Sequence, residues 1–225
     1  MTTRIAASSF DIKNAMQTNW IQRLGVFIVF LVFGSAIFVF GSNYFDIFPT
    51  NKNLIYNLTL SAALLAIAIW FKLDQRWNKY WQSMFAFFIA SVAFPVTSIF
   101  GHWTEMVLGR FHLTTATSQG IAIAKGIEML LTVIPILVLT KLSGADLGSI
   151  YLKRGNLKWG LGIGTLVLFN FAASALLFFA TRYTSVDKLG AAVLWGMVFS
   201  IANGFMEELW LRGIFLKRFE PFLGV

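Results

Sequence analysis

Two adjacent carboxylates, Glu207 and Glu208, stand in an otherwise apolar run that proceeds without a breaker from Ser200 past Asn203, Phe205 and Met206 to Leu209, Trp210, Leu211 and Arg212. On a helix, Glu208 and Arg212 lie four apart with the acid first, so they share a face and can form an ion pair. Glu207 points about 100° away and lacks that partner, while Asn203, four residues earlier, shares its face and can hydrogen-bond it. The asymmetry assigns roles. The guanidinium keeps Glu208 ionised and structural, and Glu207, desolvated within a helix assembly, is poised to take a proton from water as a general base. That chemistry requires the Glu207 carboxylate to be held among helices, away from lipid. A helix ending at Phe205 would give the same residues another meaning, two glutamates solvated at an interface, where Glu and Arg are common.

Other polar residues carry less. Lys125 and Glu128 stand three apart in a second apolar run and can neutralise each other over one turn. Gly160, Gly162 and Gly164 lie in an apolar run with no strand before them, so they indicate close helix packing and not a nucleotide site. With no cysteine in the chain, disulfides, Cys-ligated zinc and a thiol nucleophile are excluded.

The elements that must position these residues follow from hydropathy. Of 225 residues, 57% are hydrophobic and only 12% charged, and the mean hydropathy of +0.72 is too high for helices with a polar outer face. The expected fold is all-α, a polytopic transmembrane helix bundle with about six spans. A helical span needs about 20 apolar residues, and six stretches qualify: Leu24 to Phe40, Leu54 to Phe71, Tyr80 to Phe100, Ile121 to Thr140, Trp159 to Ala180, and Gly190 onward through Phe205. Pro95 and Pro135 fall inside the third and fourth, where neighbouring helices can satisfy freed carbonyls, and predict kinks rather than ends.

Lysine and arginine concentrate in alternate connections, roughly ten against four by the positive-inside count, which places the N-terminus in the cytoplasm. Trp70, Trp77, Trp81 and Trp159 sit at the same basic ends, as interfacial anchors do. Residues 1–23 are expected as a cytoplasmic or interfacial segment without a cleavable signal, and residues 24–225 as one membrane domain. The formal charge of +8 is spread singly between apolar spans. Anionic lipid headgroups are therefore the expected partners, and nucleic acid is not. The polar stretch from Lys141 to Lys158, with Tyr151, Leu152 and Leu157 among its charges, is expected along the cytoplasmic interface.

The heptad Glu207-Glu208-Leu209-Trp210-Leu211-Arg212-Gly213 matches a Glu-Glu-x-x-x-Arg motif late in a membrane helix, and here the chain resembles the CPBP (Abi) family. That family comprises CAAX prenyl proteases and bacteriocin-processing or bacteriocin-immunity membrane proteins. The stretch from Leu147-Gly148 through Lys153-Arg154-Gly155-Asn156-Leu157-Lys158 to Gly164 also resembles the family's connection into the preceding helix. The likeness covers roughly the last third of the chain. It implies an intramembrane endopeptidase of a bacterial plasma membrane, in which a glutamate activates water against a peptide or prenylated-protein substrate. By position, Glu207 would be the activating carboxylate, Glu208 its neighbour in the site, and Arg212 the orienting cation.

The family's later motifs, Phe-x-x-x-His and a further histidine pattern, are missing. The chain ends at Val225, and its two histidines, His102 and His112, precede the motif in a loop expected on the opposite side of the membrane. The expectation is therefore a partial member with an incomplete catalytic site. Zinc suits a carboxylate joined by histidines, but with the ligating histidines absent the metal stays open. A non-catalytic reading, a bacteriocin-immunity or scaffold protein that binds a partner through phenylalanines and small residues, stands beside the protease. A small transporter would need matched halves around Lys125 and Glu128, and the sequence offers no second half.

Overall fold

A computed structural model describes residues 20–42, 47–150, 152, 157–179 and 186–223. Every regular element among them is helical. Helix α1 runs Trp20–Gly34 and continues as a π-helical segment, Ser35–Phe40; α2 is Thr50–Leu73, α3 Trp81–Phe100 and α4 the short His102–Arg110. Then come α5 (Ser118–Leu142), α6 (Leu157–Phe179), α7 (Val186–Glu207) with a second π-helical segment at Glu208–Gly213, and α8 (Leu216–Leu223). Five segments are long and apolar enough to cross a membrane: Arg23–Phe40, Lys52–Leu73, Asn78–Phe100, Ser118–Leu142 and Lys188–Gly213. They match five of the six expected spans, and α6, at 23 residues, occupies the place of the remaining one. An all-α helical bundle of this composition fits an integral membrane protein. The expected surface segment lies outside the described residues up to position 19.

Helix α3 is the hub. It packs against α2 on one side and α5 on the other, and α5 in turn packs along α7. Its sequence explains the placement. Ser83, Ala86, Ala90, Ser91 and Ala93 are small and buried, so neighbouring backbones approach closely, while Phe87 and Ile89 fill the interior completely. Both α3 and α5 run through their prolines, Pro95 and Pro135. Several polar groups inside the bundle find partners, whereas the buried Thr132 and Thr140 hydroxyls have none among the described residues. The Ser61 and Ser91 hydroxyls meet at 2.9 Å between α2 and α3, and Tyr56 donates to the Ala36 carbonyl at 2.8 Å. Ala36 lies in the first π segment, where the wider turn disturbs the regular backbone ladder and leaves a carbonyl open to a side-chain donor. Asn57 adds a second stitch, donating to the Gly41 carbonyl at 2.9 Å.

Beyond the second π segment the chain folds back. Phe215, just before α8, and Phe219 within it turn inward against Phe30 of α1 and Phe87 of α3, with ring centroids 5.2 to 5.6 Å apart. The Ser83 hydroxyl donates to the Arg218 carbonyl at 3.0 Å and ties α8 to the start of α3. Arg218 itself is buried, and burial pushes its guanidinium down to about 10, so it stays cationic at neutral pH. This is the end of the bundle that carries Lys72, Lys79 and Lys141, with Lys72 4.9 Å over the Trp81 ring.

Two expectations need correction. An added Cβ at Gly162 or Gly164 would meet nothing within 4 Å, so these glycines mark no close helix contact among the described residues. The connection from Lys141 to Lys158 does more than lie along a surface. It forms a 3-10 turn, Leu147–Ile150, and Ile150 is buried in the core against the second π segment. Its Tyr151 falls outside the described residues.

If Phe87 is the keystone of this aromatic cluster, Phe87→Ala should lower the thermal stability of the detergent-solubilised protein by about 3 kcal/mol or more, since it leaves a cavity where three helices meet. Calorimetry or near-ultraviolet circular dichroism would measure the loss.

Candidate active site

The apolar run does not stop at Phe205. Helix α7 continues through Glu207, and the backbone then widens to i→i+5 hydrogen bonding over Glu208–Gly213, with the Ile214 amide donating to the Leu209 carbonyl at 3.1 Å. The two glutamates therefore sit at the junction of an α-helix and a π-helical turn, a geometry often found at functional sites. The helix therefore does not end at Phe205.

The pairings that the spacing predicts are present. Arg212 Nη1 lies 2.9 Å from Glu208 Oε2, and the Asn203 amide donates to Glu207 Oε1 at 2.9 Å. Glu207 has no ion-pair partner among the described residues. The depth of the site follows from Trp210. Its indole N–H donates to the Ala90 carbonyl at 2.9 Å, and its ring packs against Phe38 at 5.3 Å and Phe94 at 5.0 Å. Ala90 is midway along the 20-residue α3, a helix about 30 Å long. The charged turn thus stands near mid-height of the bundle.

The direction of these side chains differs from the requirement set by the sequence. Ala202, Met206, Leu209 and Gly213 form the inward stripe of α7, and the acids occupy the opposite face. Glu207 is exposed, and the side chains of Glu208 and Arg212 are 61% and 65% exposed. The carboxylates are therefore near mid-height of the bundle yet open to the outside of the described residues. Beside them, a groove of about 440 Å3 runs between α1 and α8, walled by Val26, Phe27, Phe30, Leu211 and Phe215, with Arg212 at its edge.

The structure keeps the histidines apart from this site. Both are exposed at the other end of the bundle, His102 at the start of α4 with Nδ1 3.0 Å from the Ile99 carbonyl, and His112 in the following turn. Among the described residues no three His, Asp or Glu side chains group closely enough to hold a metal ion, and Glu207 with Glu208 alone is not a zinc site.

Sequence reasoning missed three features. It placed no weight on Trp210, whose indole fixes the height of the turn, or on the π segment itself. It named Gly213 only beside the motif and missed its packing role: an added Cβ would lie 3.0 Å from the Ile150 carbonyl oxygen and 3.3 Å from Leu209 Cδ1. The available signals were a tryptophan inside an apolar span and a glycine directly after the arginine. Neither a family model nor a curated protein nor a solved structure matches the chain.

Two substitutions test this local architecture. Trp210→Phe keeps an aromatic ring but deletes the N–H and part of the indole packed against Phe38 and Phe94, and should cost at least about 1 kcal/mol in thermal unfolding. Gly213→Val should cost about 1–3 kcal/mol by crowding the 147–150 turn, with faster proteolysis after Lys141 as an independent readout.

Proposed function

We propose that the chain is a CPBP-type intramembrane endopeptidase unit in which Glu207 acts as general base on a water molecule that attacks a peptide bond of a membrane-associated substrate. The observation that carries this reading is an ionisable cluster held at mid-height on a span that is otherwise apolar. Each such group costs about 2.5–3.5 kcal/mol in hydrocarbon by insertion scales, so its retention needs a functional reason. Glu208 and Arg212 offset each other and fix the turn. Glu207, held by Asn203 and free of the guanidinium, keeps the lone pair that a base needs.

The apolar groove edged by Arg212 supplies a place for the lipid-like part of a peptide or prenylated-protein substrate alongside the reacting bond. The proposed setting is a bacterial plasma membrane with the basic end, including α8, on the cytoplasmic side. The metal stays open under this proposal: zinc bound by a carboxylate with histidines would activate the same water, and no described histidine is near enough to contribute.

That distance favours a second reading, a non-catalytic bacteriocin-immunity or scaffold protein that uses the same outward polar face for binding. Glu207→Gln separates the two. In membranes of the expressing cell, mass spectrometry of new peptide termini should show processing reduced at least about 100-fold by Glu207→Gln, and Arg212→Ala should impair it through the position of Glu208. Processing unchanged in Glu207→Gln would remove the acid from any mechanism. Protection against a bacteriocin that survives substitution of both glutamates would establish the binding role.

A further inference from the structure

A second polar site lies at the other end of the bundle. Between α3, α4, α5 and α7 there is a cavity of about 410 Å3, within the range of small-ligand pockets. Its walls carry Thr97, Thr104 and Thr115, the Lys125–Glu128 pair and the Phe199 ring. Lys125 Nζ lies 2.6 Å from Glu128 Oε2 and 5.6 Å from the Phe199 ring centroid. The lysine side chain is 12% exposed and the glutamate 41%. Neutralising a buried charge explains why the two residues come as a pair. It does not explain why the pair lines a cavity with three threonines, or why the carboxylate is the more open partner.

We propose that this cavity binds a phosphoethanolamine group, with its ammonium on Glu128 and its phosphate between Lys125 and the threonine hydroxyls. The chemistry selects the ligand class. The pair is neutral as a unit, so it offers no net attraction to a free anion or a free cation. A zwitterion whose two charges are joined by a short linker satisfies both ends and leaves the site neutral. Glu128 pairs with Lys125 through Oε2 and keeps further acceptor capacity for N–H bonds, which a primary ammonium donates and a quaternary one cannot. The aromatic face that could hold a quaternary ammonium is already taken by Lys125. Thr97 donates its proton to the Ala93 and Phe94 carbonyls, at 3.0 Å each, and so can only accept. Thr104 and Thr115 are left as the hydroxyl donors for phosphate oxygens. The site lies within one turn of the end of α3 and two to three turns inside α5, a depth that an ethanolamine phospholipid headgroup reaches by a small displacement into the cleft.

Native mass spectrometry of the full chain in detergent, with added phosphatidylethanolamine, phosphatidylcholine or phosphatidylglycerol of matched acyl chains, tests the assignment. The ethanolamine lipid should be retained about tenfold more than the other two, the effect of one charge-assisted hydrogen bond. Glu128→Gln and Thr104→Val should each erase the preference while size-exclusion behaviour is preserved; the threonine variant keeps the test decisive if the glutamate variant does not fold. Competition by soluble glycerophosphoethanolamine in the millimolar range would assign the same site to a water-soluble source of the group; its failure to compete would assign it to the lipid. Equal retention of the three lipids, or a preference untouched in both variants, would reduce Lys125–Glu128 to a structural ion pair and overturn the proposal.

Discussion

Three ionisable side chains at mid-height cannot face hydrocarbon without large cost, and that constraint governs the reading of this molecule. Glu208 and Arg212 lower the cost by pairing at 2.9 Å, and Asn203 lowers it for Glu207. Neither contact removes the carboxylates from the surface of the described bundle. A polar face at this depth calls for water or a polar partner against it. The proposed hydrolysis would require water at this face.

The rest of the fold keeps that face from turning inward. The stripe of Ala202, Met206, Leu209 and Gly213 is buried on the other side of α7, and Gly213 permits the contact with the Ile150 carbonyl that a larger residue would crowd. Trp210 pins the π turn to the centre of α3. Past Gly213, Phe215 and Phe219 lock the returning helix into the aromatic cluster around Phe30 and Phe87. Rotation of the turn would break the indole hydrogen bond and open the cluster together, so the acids are held outward by contacts on three helices.

Much of this was legible in the sequence because bilayer-spanning helices obey a simple length and hydropathy rule. The spans from Leu54, Tyr80 and Ile121 agree with α2, α3 and α5 to within four residues at each end. The i,i+4 rule found Glu208–Arg212 and Asn203–Glu207, and i,i+3 spacing found Lys125–Glu128. What stayed hidden depends on tertiary contact. Gly162 and Gly164 look like packing glycines by composition, yet nothing among the described residues approaches within 4 Å of a Cβ added there, whereas Gly213, which directly follows the motif arginine, is closely packed. The π segments at Ser35–Phe40 and Glu208–Gly213 leave no mark in hydropathy, since one residue of extra backbone per turn is set by what packs against it. Which way the acids face is likewise a property of the neighbours of α7 and not of its own sequence.

The central claim is that water reaches position 207 at membrane depth. The native chain has no cysteine, so a single Glu207→Cys substitution is a unique reporter in intact membranes. The account predicts alkylation by a charged, water-soluble thiol reagent at a rate near that of Asp74→Cys in the connection after α2, while Ile201→Cys, on the apolar part of the exposed face, stays unmodified. A position 207 that ignores the charged reagent and reacts only with an apolar, membrane-permeant one would contradict it.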